Sequence, residues 1–165
     1  MSLDKEIVKE FLDESKQLVE GLVEILEGIE GDFGKVSQLA EYGNGVDRIM
    51  GGAKSLALLA PPDHALHMIS DYAAVCKAVS YKASQISNNE ELYNICVGLL
   101  LDATENLIFL LNNIEEKVSV LKQKIPQAFI ERLNWASNQF DENVSATVTK
   151  SHPSEINALI KKLGL

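Results

Sequence analysis

A chain of 165 residues, 46% hydrophobic and 24% charged, has the material for one sizeable core and reads as a single soluble, globular domain. The net charge of −9 argues against a nucleic-acid surface, because phosphate contacts need clustered Lys and Arg, and nothing basic clusters beyond KEIVK and the final KK. No apolar run reaches the ~18 residues of a bilayer span, since GLLL and IFLLNNI are interrupted by Asp102, Glu105 and Asn106.

Helical periodicity is almost continuous along the chain, and strand signals are nearly absent. The first helix is predicted over residues 4 to 30, with Ile7, Val8, Phe11, Leu12, Leu18, Val19, Leu22, Val23, Leu26 and Ile29 on one stripe; Gly28, Gly31 and Gly34 end it and turn the chain. A second helical stretch starts near Lys35, is interrupted by YGNG at 42 to 45, and resumes through VDRIMGGAKSLALLA. Pro61 and Pro62 stop it and open a third helix over 63 to 86. SNNEE at 87 to 91 supplies capping residues and acids for a tight turn into a fourth helix over 90 to 122, with Leu92, Cys96, Leu99, Ala103, Leu107, Leu110, Ile114 and Leu121 inward. Pro126 opens a shorter amphipathic piece carrying Phe129, Leu133, Ala136 and Phe140.

The expectation is an all-α fold: an antiparallel four-helix bundle with additional short C-terminal helices. Residues 1 to 125 form the bundle, 126 to 140 a short amphipathic helix, 141 to 152 a polar linker, and 153 to 165 a terminal helix. In that last piece Ile156, Leu159, Ile160 and Leu163 share one face, Ser154 caps the start, and Lys161, Lys162 and Gly164 suit the end. A lone helix of about ten residues is marginal in water, so this one needs something to dock onto.

Few residues carry obvious chemistry. His64 and His67 stand three apart, but no Cys or further His completes a tetrahedral site, and a surface pair is the plainer reading; His152 lies in the linker. Cys76 and Cys96 fall on apolar faces and read as buried thiols of a reducing compartment. With no signal-peptide pattern in MSLDKEIVKE, the chain is expected to be cytoplasmic. On the fourth helix, counted from Ala103 at about 100° per residue, Asp102 lies at about −100° and Asn106 at about −60°, with Gly98 and Asn113 on the same flank. Such a carboxylate and carboxamide can reach a docked partner together, or can be ordinary boundary residues. Gly51 and Gly52 sit inside a helical window at ~1 kcal/mol each relative to Ala, which suggests a close neighbour, a kink or a partner.

Two resemblances follow. DATEN at 102 to 106 and SEINALIKKLGL at 154 to 165 resemble the Asp-x-x-x-Gln helix and the C-terminal receiver-binding segment of CheZ-type chemotaxis phosphatases. Asp102 and Thr104 match that motif, Asn106 stands for Gln, and Leu165 stands for the terminal Phe. VDRIMGGAKSLALL resembles the second helix of histidine phosphotransfer domains through Arg48, Lys54 and Ala57; Gly51 occupies the phosphoacceptor position and Ser55 replaces a Gly. Both likenesses imply a CheY-like receiver domain as partner; the phosphatase likeness puts Mg2+ on that receiver, with no cofactor of the chain's own, while charge and the lack of a long apolar run leave no nucleic acid and no membrane expected. The first implies a phosphatase in which Asn106 orients water and Asp102 pairs with a receiver lysine, Gly98 allowing close approach, with Ile156, Leu159, Ile160 and Leu163 as the tether. The second implies a non-catalytic adaptor gripping a receiver or kinase through Arg48, Gly51, Gly52 and Lys54. Homodimerisation is the other expectation that the phosphatase likeness carries, and a structural helix docked on its own body is the alternative for the tail.

Overall fold

A computed structural model describes residues 3–143 and 153–165. Among them no strand forms and only isolated bridge residues occur, His64 with Lys117 and Ile86, so the fold is all-α. α1 (Lys5–Ile29) starts where the Asp4 carboxylate accepts the Glu6 N–H at 2.8 Å, and buries Phe11, Val19, Leu22, Leu26 and Ile29. Ile7, expected on that stripe, is 44% exposed. Gly31, at φ 76°, turns the chain into a short 3-10 segment, Phe33–Gln38.

α2 (Leu39–Ala57) runs unbroken through YGNG, which corrects the expected interruption. The glycines there serve packing: a Cβ on Gly43 would stand 2.5 Å from the Tyr81 ring, and one on Gly45 2.6 Å from a Leu22 methyl. They let α3 and α1 press against the α2 backbone. α3 (Ala65–Ala83) is capped by His64, whose Nδ1 accepts the Leu66 N–H at 3.1 Å.

α4 (Glu90–Asn112) is shorter than the sequence suggested. The Asn113 carboxamide donates to the Phe109 carbonyl at 2.8 Å and closes the helix. The chain then crosses to α3, where the Val118 N–H meets the Asp63 carbonyl at 3.0 Å, before α5 (Val118–Lys122). Ile114 and Leu121 are buried as expected, because the apolar spacing carries across the break. By length and composition α4 is, alone among the described residues, apolar enough to cross a membrane, and half of that stretch is buried inside the fold. Only Asp102 and Glu105 interrupt its middle, too few charges to break the apolar window.

α6 (Gln127–Asn143) and α7 (Pro153–Lys162) complete the described elements. α1 packs on α2 and α4, α2 on α3, and α3 on α4, closing a ring of neighbours; α6 packs on α4, and α7 on α3 and α6. Thus α3 and α4 are shared by two sets of neighbours. Three buried tyrosines tie α4 to the rest of its ring: Tyr42 pairs with Thr104 at 2.8 Å, Tyr72 donates to the Ala103 carbonyl at 2.9 Å, and Tyr93 to the Ile29 carbonyl at 2.5 Å. Each such bond contributes about 1 kcal/mol and fixes helix register inside an otherwise apolar core. The expected linker at 141 to 152 overlaps the last turn of α6, and the remainder lies outside the described residues, as does His152.

Candidate functional site

α4 places Asp102 and Asn106 one turn apart, but each already has a partner within the chain. The Asp102 carboxylate accepts from Arg132 of α6 at 3.2 Å, with the two side chains 44% and 57% exposed. Asn106 is half-buried, with its carboxamide near enough to the Tyr72 hydroxyl to bear on its ionisation, while that hydroxyl donates to the Ala103 carbonyl at 2.9 Å. Burial pushes that hydroxyl well above the ordinary phenol range, with the nearby Cys76 adding to the rise and the Asn106 contact opposing it. Thr104, which matches the phosphatase-like motif, is fully buried and spends its hydroxyl on Tyr42 and the Leu100 carbonyl. Gly98 and Asp102 line one side of a surface groove of about 480 Å³, with Asn94, Ile95 and Arg132. Gly98 has open space where a Cβ would be. Arg132 is the residue the sequence reading missed; thirty positions separate it from Asp102, and no local spacing joins them.

A second region lies along α2. Gly51 is exposed, with nothing within 4 Å of the position a Cβ would take, whereas a Cβ on Gly52 would touch the Phe11 ring at 3.1 Å. The two adjacent glycines therefore do different things: Gly52 admits α1, and Gly51 leaves a bare stretch of backbone facing outward. One turn before it, Arg48 pairs with Glu14 of α1 at 3.0 Å, both more than 60% exposed. One turn after it Lys54 is exposed, and at the end of the same helix Leu58 is 84% exposed, the most exposed of the large apolar side chains among the described residues. Two cations, an exposed glycine and an apolar tip thus share one flank of α2.

The tail helix is seated on its own chain. Ile156, Ile160 and Leu163 are 1%, 3% and 2% exposed, and Leu159 is half-buried. The seat is made by α3 and by α6, whose Phe129, Leu133, Ala136 and Phe140 are buried. Lys162 reaches Asp71 of α3 at 3.3 Å, and Asn157 donates to Asn138 of α6 at 3.2 Å. The structure therefore brings the expected docking residues of the tail together, with the faces of α3 and α6 opposite them.

The remaining candidates are structural in place. His64 is the α3 cap, and His67 is half-buried with its Nε2 unpartnered, so the two imidazoles serve different ends. Among the described residues no three His, Cys, Asp or Glu side chains gather as a metal-binding group. Burial pushes both the Cys76 and Cys96 thiols up to about 12, which makes them poor nucleophiles. No protein-family model, curated protein or solved structure matches the chain.

Proposed function

We propose that this chain is a non-catalytic binding module of two-component signalling. In this reading α1 to α4 form an antiparallel, phosphotransfer-like four-helix bundle that docks a CheY-like receiver through the exposed face of α2. The observation that carries it is Gly51: it stands at the phosphoacceptor position of the likeness, outward-facing and with open space above it, flanked by Arg48 and Lys54. A glycine there has no nitrogen to phosphorylate, so the surface grips without transferring. α7 is the second contact, a tether presenting Ile156, Leu159, Ile160 and Leu163 to the receiver and raising its local concentration. The setting is cytoplasmic, Mg2+ belongs to the receiver, and the chain acts as a monomer or pairs through its helices.

Titration of the full chain into purified CheY-like receivers tests this. Gly51→Trp is expected to lower affinity at least tenfold while Asp102→Ala leaves it unchanged. Unaltered affinity in the tryptophan variant removes the docking face.

A second reading is that of an aspartyl-phosphate phosphatase, favoured by the placement of Asp102 and Asn106 on one flank beside the Gly98 groove. Arg132 is half exposed and its bond to Asp102 is the weak, exchangeable kind, so a receiver lysine can take its place. Asn106 then leaves Tyr72 and orients water at the phosphoryl group, a task that needs alignment more than covalent chemistry. Unchanged phosphate release by a folded Asn106→Ala variant eliminates this reading.

A further inference from the structure

The face of α7 that the tether must present is the face that the chain itself conceals. Ile156, Ile160 and Leu163 have at most 3% of their surface open, so no receiver touches them while α7 is seated. We propose that the cleft between α3 and α6 is a helix-docking surface whose occupant, α7, is held releasably, so that the intramolecular seat and the receiver compete for one set of side chains. The competition rests on the receiver-binding reading above; the releasable seat does not.

Three features of the seat make it releasable. It is small: a ten-residue helix, unstable by itself, and the turn after it are held by three buried apolar side chains, with Leu159 and Leu165 partly buried against the core beside them. Its polar links are exposed. In the pair that ties it to α3, Lys162 is 67% exposed and Asp71 28%, so salt and water reach it from the lysine side, and the Asn157–Asn138 bond is exposed as well. The fit is also incomplete. Asn157 Oδ1 is buried without a partner. His67 Nε2, likewise buried and unpartnered, belongs to a residue lining the same small cavity as Lys162. Unmet polar atoms of this kind disfavour the closed arrangement and are relieved by water when it opens.

That cavity also contains Lys54 and Leu58, the end of the proposed α2 docking face, together with Ser70 and Asp71. The C-terminal turn of α7 thus borders the first contact surface, and its departure changes that border. When only a fraction of molecules has α7 free, the apparent affinity for a receiver falls by that fraction, and loosening the seat restores it.

The test is hydrogen exchange on the full chain without a receiver, followed by receiver titration. Amides of residues 159 to 164 are expected to exchange at least 100-fold faster than those in the middle of α4. In Asp71→Lys, which leaves the α7 sequence intact, they are expected to exchange roughly three- to tenfold faster again, with receiver affinity rising by a similar factor. Exchange of α7 in step with α4 overturns the proposal, because the seat then opens only with the whole fold. If α7 opens early but Asp71→Lys leaves receiver affinity unchanged, the competition is overturned. Whether a receiver binds at all is decided separately by the Gly51→Trp titration.

Discussion

The same substitution should raise stability at one point of α2 and fail to raise it at another. Gly43→Ala and Gly51→Ala each gain about 1 kcal/mol from helix propensity. At Gly51 the added methyl meets nothing within 4 Å, so the gain stands alone. At Gly43 it lands 2.5 and 2.7 Å from carbons of the Tyr81 ring and 2.8 Å from Ser80 Oγ. The ring cannot withdraw freely, because its hydroxyl donates to Asn44 and Lys77 lies 6.0 Å from its centre. Overpacking of this kind typically costs ~1–3 kcal/mol. Since the propensity term is common to both variants, that range is also the expected difference between them. For a chain of this size it corresponds to roughly 2–12 °C in melting temperature. Thermal and urea unfolding of the two alanine variants against the parent measure it. A Gly43→Ala protein as stable as Gly51→Ala would mean that α2 and α3 are not in the close contact described, and the account of YGNG would fail with it.

Other outcomes follow from the buried polar groups and the exposed pair. Thr104→Val takes the oxygen partner from the buried Tyr42 hydroxyl, leaving it only the weaker Cys76 thiol, and should cost about 1–3 kcal/mol, whereas adding Tyr42→Phe should recover part of the loss; a double-mutant cycle by urea denaturation showing no recovery would count against a direct bond. Both thiols rise from 9 to about 12 on burial, so above pH 9 the unfolded chain sheds protons that the folded chain keeps. Stability should therefore fall as pH climbs from 9 towards 12, and a thiol reagent at pH 8 should label Cys76 and Cys96 only on unfolding; rapid labelling of the native chain contradicts their burial. Arg132→Ala should change stability by less than about 1 kcal/mol, and by less still at high salt, because its pair with Asp102 is half in water. A larger loss by chemical denaturation would show that α6 depends on that pair.

The helices were legible because their apolar residues recur at helical spacing, from Phe11 to Ile29 and from Leu92 to Leu110. What misled was local chemistry whose meaning lies elsewhere in the chain. YGNG reads as a break because two glycines lower helix propensity; the side chains of Leu22 and Tyr81 that fill the space are far away in sequence. The end of α4 was hidden because Ile114 and Leu121 keep the apolar rhythm while Asn113 stops the helix. At the candidate site, the flank holding Gly98, Asp102 and Asn106 could be read from angles alone. Their partners Arg132 and Tyr72 could not, since pairing across thirty residues leaves no periodic trace. The tail declares an apolar face by its spacing, but spacing does not name what that face meets.

A helix pair walled in on two sides has a history as well as a structure. During synthesis α3 and α4 can close against α1 and α2 while their other side waits for α6 and α7. At translation speeds of about 5–20 residues per second, the forty residues from 126 to 165 take roughly 2–8 s to arrive. For that interval the nascent chain carries an uncovered greasy wall, a natural landing place for chaperones and a hazard for any chain that stalls before residue 126.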